Sequence, residues 1–386
     1  MKETAPSATI AMTQKARDLR AEGKDVISLS IGEPDFNTPD FIKQAAKKAI
    51  DENYSHYSPV SGYPETKQAI VQKFKRDNGL DYKPSQIVVS TGAKQSLYNV
   101  FQSIISEGDE VMIPTPYWVT YTDIVKICGG KPIYVQTTID TGFKVTEAML
   151  EESISPRCKA IIFSSPNNPS GAVYDIEELK VIARFAEKHD LIIISDEIYE
   201  HIIYSGKNAS IATLPEAYDR TVTVNGLSKI FAMTGWRLGY IGAPEWLAKA
   251  CELIQGQVTS GANSISQRAA ITALEADISS VQYMIDAFRR RKELMMKWAS
   301  EIPVFNVAEP AGAFYLFPNV KKAYGKIYRG KTIHNADELT SLILEEALVA
   351  TVSGTAFGND DCIRISYAAS EEQLNEAMRR IQELLK

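Results

Sequence analysis

The stretch Leu191-Ile192-Ile193-Ile194-Ser195-Asp196-Glu197-Ile198-Tyr199 decides how the rest of the chain is read. Its first four residues form a continuous apolar run of strand length, without the alternation of a strand that has one wet face, so it reads as a strand covered on both sides. Similar β-branched runs recur at 86–90, 110–113, 132–136, 160–164, 221–225 and 238–243, and amphipathic stretches of helix length lie between them, as at 94–105, 117–128 and 176–189. Gly108-Asp109 and Gly129-Gly130 supply turns. This alternation predicts an α/β chain with a three-layer, mostly parallel sheet between helices.

A chain of 386 residues is longer than the roughly 250–300 residues at which one core stops growing, so a second, smaller domain is expected. The order of elements changes after a charged stretch around Arg289-Arg290-Arg291-Lys292, which reads as a connecting helix at 278–300. Beyond it, strand-like pieces at 313–317 and 362–368 and helices at 337–347 and 370–385 suit a small α+β domain.

With 42 basic and 48 acidic side chains the formal charge is −6, which argues against nucleic acid as the main partner. The longest apolar runs fall far below the roughly 20 residues that cross a bilayer, so no membrane partner is expected. The first residues, Met1-Lys2-Glu3-Thr4-Ala5-Pro6-Ser7, lack the charged head and apolar stretch of a signal peptide, and a cytoplasmic location is expected. Cys128, Cys158, Cys251 and Cys362 read as reduced core residues. His56, His189, His201 and His334 show no metal-ligand spacing, so no metal site is expected.

In open α/β sheets ligands bind beyond the carboxyl ends of the strands, which singles out four places. Ser90-Thr91-Gly92-Ala93-Lys94-Gln95 joins a strand to a helix through a small turn whose backbone N–H groups suit an anion, though taken alone such a stretch is more often a plain turn. Ser164-Ser165-Pro166-Asn167-Asn168-Pro169 follows a buried strand, with Asn168 held between two prolines or simply sitting in an ordinary loop. Asp196 ends the Leu191 run, where a carboxylate is costly unless it meets a cation or caps a helix, and Tyr199 follows one helical turn on. Last, Lys229 stands in the small, apolar stretch Asn225-Gly226-Leu227-Ser228-Lys229. An apolar setting frees an amine for Schiff-base chemistry, although a lone lysine is most often a surface group. Arg237, eight residues on, can hold a phosphate bidentately.

Together these stretches resemble the fold type I pyridoxal phosphate enzymes, within them the class I aminotransferases, and among those the subgroup 1b aspartate aminotransferases, over nearly the whole chain. The class signature around the active lysine is matched by Gly226, Leu227, Ser228, Lys229, Arg237, Leu238 and Gly239. Gly32-Glu33-Pro34-Asp35-Phe36, Ser165-Pro166-Asn167-Asn168-Pro169 and Ser195-Asp196-Glu197-Ile198-Tyr199 occur in the family's order.

The resemblance implies a large cofactor-binding domain at 40–280 and a small one from 1–39 and 281–386. It implies that Lys229 carries pyridoxal 5′-phosphate as a Schiff base and later shuttles the substrate's α-proton. Asp196 would face the protonated pyridine nitrogen, Asn168 and Tyr199 the ring's phenolate oxygen, and Trp118 the ring face. The phosphate would rest on the N–H groups of Gly92, Ala93 and Lys94, on Ser228 and Arg237, and on Tyr57 from the neighbouring subunit of a homodimer. Many relatives have a phosphate-binding serine where this chain has Gly226, so the cup is expected one hydroxyl short or completed by water. Arg364 would fork onto the substrate α-carboxylate, aided by the Gly32 backbone. Lys94, Ser7 and Thr9 would hold a distal carboxylate.

The implied activity is transfer of the amino group of aspartate or glutamate to a 2-oxo acid such as 2-oxoglutarate by a ping-pong reaction, with prephenate as a further acceptor suggested by Lys94 and Thr9. The alternatives on the same scaffold are an aromatic, alanine or branched-chain donor, or a β-lyase. A non-catalytic, cofactor-binding regulator fits poorly, because only 31 residues precede Gly32 and no basic recognition helix is evident.

Overall fold

Along the strand Cys158–Ser164, Ala160 and Ile162 pack with Leu97, Val100 and Val224 on one side, while Ile161 and Phe163 pack with Leu179 and Ile182 on the other. Both faces of this strand are therefore covered, as its unbroken apolar sequence requires. The computed structural model describes the backbone of residues 8–386 and side chains from residue 11 onward.

Seven strands form the central sheet: β1 (Ile87–Ser90), β2 (Glu110–Pro114), β3 (Lys131–Val135), β4 (Cys158–Ser164), β5 (Ile192–Asp196), β6 (Thr221–Gly226) and β7 (Gly239–Gly242). Their spatial order is β1-β7-β6-β5-β4-β2-β3. β7 runs antiparallel to both its neighbours, and every other pair in the sheet is parallel. All seven coincide with the runs read from the sequence to within two residues at each end. Helices Ala93–Ile104, Thr120–Ile127 and Ile176–Lys188 fill the expected connections. The last begins with a capping box, the Asp175 side chain accepting from Glu178 N at 2.9 Å and the Glu178 carboxylate accepting from Asp175 N at 2.8 Å.

The topology decides where chemistry can sit. Ser164 lies opposite Asp196, and Asp196 opposite Val224, so the carboxyl ends of β4, β5 and β6 are level. Because β7 is antiparallel, its first residue, Gly239, pairs with the last residues of both β1 and β6, Ser90 and Gly226. The turn after β1 and the loop before β7 are thereby brought side by side, although about 140 residues separate them in the chain.

The segment before the sheet and the segments after it are built together. Ile27–Ser28 pairs in parallel with Val349–Ala350, and Ile363–Ser366 is the middle strand of a small antiparallel sheet with Tyr315–Leu316 and Val352–Ser353. The connecting helix is Gln282–Ser300, entered through a short turn at Ile278–Val281. Its charged stretch is not all solvated. Arg291 is buried and forks onto Asp35, with Nη1 and Nη2 donating at 2.7 and 2.8 Å, while its guanidinium lies 5.0 Å from the Phe36 ring. The Gly32–Phe36 segment is thus fastened to the helix beyond the sheet.

Candidate active site

A cleft of about 260 Å³ opens at the carboxyl ends of the parallel strands. Of the residues named from the sequence, Gly32, Ala93, Lys94, Trp118, Asn168, Asp196, Tyr199, Ser228, Lys229, Arg237 and Arg364 all line it. They come from seven separate parts of the chain, and the sheet's register is what makes them neighbours.

At one end the helix Ala93–Ile104 begins at Gly92, whose φ of +84° and close neighbour exclude a side chain: a Cβ there would come within 2.3 Å of an Arg237 guanidinium nitrogen. Gly239 is equally constrained, since a Cβ would lie 2.2 Å from Ala93 N. The Gly92 N–H is not available for an anion, because it donates to Ser90 O at 2.8 Å. This corrects the expectation of three phosphate-binding amides. Between Thr91 and Ser96, the Ala93 and Lys94 N–H groups have no acceptor among the described residues, and no described side chain caps this helix. Two free amides at a helix N-terminus, the Arg237 guanidinium and Ser228 make a cradle of the charge and size that a phosphate needs. Gly226 leaves little room for the missing serine, since a Cβ would meet Leu238 O at 3.0 Å and Ile198 Cδ1 at 3.1 Å.

In the middle of the cleft Asp196 is buried, accepting from the Tyr121 hydroxyl at 2.7 Å and from Ile198 N at 3.2 Å. Burial raises its carboxyl above the usual value, against the opposing effect of those two donors and of Lys229. A buried carboxylate in this state favours a cationic ligand atom, such as a protonated pyridine nitrogen. Lys229 Nζ donates to Gly32 O at 2.7 Å. Burial first, then the charges of Arg364 and Arg237, pull its amine down to about 8, while Glu33 and Asp196 act the other way. An amine in that range is neutral often enough to attack a carbonyl.

At the far end Arg364 is fully buried, with Nη1 donating to Asn168 Oδ1 at 2.9 Å and Nη2 to Ser30 O at 2.6 Å. Among the described residues its Nε has no hydrogen-bond partner. Such a guanidinium without a carboxylate is expensive, and it marks where an anionic group belongs. Across the mouth, Lys94 is exposed and places its Nζ 5.0 Å from the Trp118 ring. Burial of its ammonium end and the charge of Arg237 lower its pKa, with Asp123 opposing.

Besides Gly92, three predicted residues are not among those lining the cleft. Tyr57 is 96% exposed and reaches no part of this cleft within the chain. Ser7 lies outside the described residues, and so does the side chain of Thr9, which belongs to the helix Ala8–Ala21. Sequence reasoning missed Tyr121 and Tyr315, both in the cleft wall. Nothing local marks them: Tyr315 sits in the apolar run 313–317 and Tyr121 beside Thr120 and Thr122, and only the fold brings both to the cleft.

Behind the β5 turn lies a second set of polar residues that the sequence reading also passed over. Asp196 and Tyr199 face the cleft, but Glu197 and Glu200 of the same turn face the other way. Glu197 accepts from Ser195 Oγ at 3.0 Å, Ser210 Oγ at 2.7 Å and Asn78 Nδ2 at 3.1 Å. Glu200 accepts from Asn78 at 2.6 Å and pairs with Lys73, which is buried. Burial and the neighbouring Glu200 push Glu197 up to about 8. Glu200, despite its burial, is held below the usual carboxylate range by Lys73 and His201.

The chain matches the family model described as aminotransferase class I and II over residues 24–381. It is 46% identical over 378 residues to an aspartate aminotransferase of Geobacillus stearothermophilus, covering 97% of this chain and 95% of that protein. It is also 46% identical over 381 residues to an aspartate/prephenate aminotransferase of Cereibacter sphaeroides, covering 98% and 95%. Its structure resembles that of the aspartate aminotransferase of Thermus thermophilus with maleate at a TM-score of 0.94 and 39% identity, covering 100% of this chain and 98% of that one. With a lysine, a buried aspartate and an anion cradle meeting in one cleft, the chain belongs to the class I and II aminotransferases, pyridoxal phosphate-dependent transaminases.

Proposed function

We propose that this transaminase moves the amino group of aspartate or glutamate to a 2-oxo acid such as 2-oxoglutarate, and accepts prephenate as well. The observation that carries the reading is that two cations line one cleft, buried Arg364 and exposed Lys94. Such a pair suits a substrate with two carboxylates. The relatives support it: one carries aspartate in its name, another aspartate and prephenate, and the Thermus thermophilus structure holds maleate, a dicarboxylate.

Pyridoxal phosphate, when bound, supplies an electron sink for the carbanion left when the substrate's α-proton departs. The chain's own residues do the rest. Ala93, Lys94, Ser228 and Arg237 would hold the phosphate group, and Asp196 would favour a protonated ring nitrogen. Tyr199 and Asn168 would hydrogen-bond the ring oxygen, and Trp118 would stack on the ring. Arg364, oriented by Asn168, forks onto the α-carboxylate and so fixes the Cα–H bond relative to Lys229. The Lys229 amine, held toward neutrality, would be the cofactor's attachment point and, once displaced by the substrate amine, the base that takes the α-proton.

The same reading divides the chain into a large domain at 40–280 and a small domain of 1–39 and 281–386, with Gly32 and Arg364 on the small one. It further places the enzyme as a cytoplasmic homodimer in which Tyr57 reaches the partner's phosphate cradle, with Ser7 and Thr9 beside the distal carboxylate. A tyrosine 96% exposed in the single chain and four buried, unpaired cysteines support this. No described helix is long and apolar enough to cross a membrane.

The test is a panel of donors and acceptors offered to the purified protein and followed by the change in cofactor absorbance. Conversion with aspartate and glutamate well above that with alanine, phenylalanine or valine is the expected result. A preference for a monocarboxylic donor overturns the dicarboxylate assignment.

A further inference from the structure

Tyr315 stands in the cleft wall with no role in the reading above. Its hydroxyl is 2.7 Å from that of Tyr199, and either oxygen can be the donor. Among the described residues its hydroxyl has no second hydrogen-bond partner. Its ring lies 4.8 Å from the Arg364 guanidinium, a group that only donates, and its hydroxyl lies against Gly32 so closely that a Cβ there would be 2.2 Å from it. Tyr315 is fully buried, so water does not complete its bonding.

The two possible directions of this hydrogen bond are not equivalent. If Tyr199 donates to Tyr315, the Tyr315 proton is left without an acceptor, which is costly in a buried place. If Tyr315 donates to Tyr199, its own proton is satisfied and the Tyr199 proton is turned toward the cleft. Donation into the Tyr199 oxygen also polarises that hydroxyl and strengthens it as a donor.

We propose that Tyr315 is a positioning residue that sets the direction of the Tyr199 hydrogen bond, so that Tyr199 always presents its proton to an anionic oxygen in the cleft. This rests on the reading of the site as a pyridoxal phosphate site, where that oxygen is the ring's phenolate. The arrangement holds across the working range because burial keeps both phenols protonated, even with Arg364 acting against it. The ring of Tyr315 is itself fixed between Arg364 and Gly32, so the relay stands on two groups that handle the substrate carboxylate.

The experiment uses the full-length holoenzyme loaded with pyridoxal phosphate, and reads the pH midpoint of the visible band of the lysine-bound cofactor. Tyr315→Phe keeps the ring and removes only the hydroxyl. A weaker Tyr199 bond to the ring oxygen leaves the linked nitrogen more basic, so the midpoint is expected to rise by about half a pH unit. On a Tyr199→Phe background the same change is expected to have no effect, because its route is gone. An unmoved midpoint in Tyr315→Phe, or an equal shift with Tyr199 already removed, overturns the proposal while leaving the cofactor reading intact. A wild-type protein that shows no visible band with the cofactor overturns both.

Discussion

Arg364 Nη1 donates to Asn168 Oδ1 at 2.9 Å, across 196 positions of sequence. The bond joins the small antiparallel sheet to the loop after β4, and it leaves Arg364 Nε unpartnered and the guanidinium oriented toward the cleft. Asn168 therefore has two tasks in the proposed site, one toward the ring oxygen and one toward the substrate-binding arginine. Substrate and cofactor are held through a shared side chain.

Lys229→Ala is expected to abolish the visible band of the bound cofactor and to lower turnover by about 10⁴-fold or more, since it removes both the attachment point and the base. In the wild-type apoprotein, the rate of cofactor capture should rise as pH passes through about 8, where the Lys229 amine loses its proton. The sign for stability follows from the same depression. Between about 8 and the unfolded lysine value of about 10.4 the unfolded chain binds the extra proton, so this residue's penalty on folding is relieved as pH rises.

Lys94→Ala separates the two ends of the substrate. Loss of a charged hydrogen bond is worth about 1.5–3 kcal/mol, so kcat/KM for aspartate and glutamate should fall by about 10- to 100-fold, while monocarboxylic donors change little. Equal losses on both classes would show that Lys94 serves only the phosphate end.

Asp35→Ala tests the fastening of the Gly32 segment. It leaves the buried Arg291 guanidinium without its fork, and a loss of about 1–3 kcal/mol is expected in denaturant titration, reduced from a fully buried pair because Asp35 is partly exposed. KM should rise with it, because Gly32 and Tyr315 share one contact. Unchanged KM in a destabilised variant would confine the pair to folding.

Glu197 gives the opposite pH signature to Lys229. Its carboxyl is raised to about 8, so it is protonated at neutral pH in the folded chain. The stability of the protonated form is fully present below the unfolded value near 4.3 and is lost as pH rises toward 8. Glu197→Gln should therefore fold within about 1 kcal/mol of wild type at pH 7 and flatten the decline above it. Glu197→Ala strands Ser195, Ser210 and Asn78 and should cost about 2–4 kcal/mol. Denaturant midpoints at pH 6, 7 and 8 decide the matter.

The central sheet was legible because a buried parallel strand needs an unbroken apolar run, and the runs at Leu191 and Ala160 admit few other readings. The polar residues that follow them were legible for the same reason: a carboxylate or an asparagine at the mouth of an apolar layer demands a partner. What the sequence concealed depends on the direction a side chain takes. Tyr121 and Tyr315 carried no local mark, because only the fold brings them to the cleft wall. The Gly92 amide read as free until its bond to Ser90 O was seen. Arg291, taken with its neighbours as part of a charged helix, is buried because of a residue 256 positions away. The Glu197 and Glu200 side chains alternate with Asp196 and Tyr199, and no local pattern says that one turn would serve two sides of the sheet.

β7 is inserted between β1 and β6, and it closes the phosphate cradle from both flanks. A chain that ends before Gly242 therefore lacks the strand that holds the turn after β1 beside the loop carrying Ser228 and Arg237, however well its earlier strands have formed. During synthesis on the ribosome the cofactor meets a finished seat only once nearly two thirds of the polypeptide has emerged. Uptake of the phosphate compound is then a late event, and it reports that the sheet has been threaded in the right order.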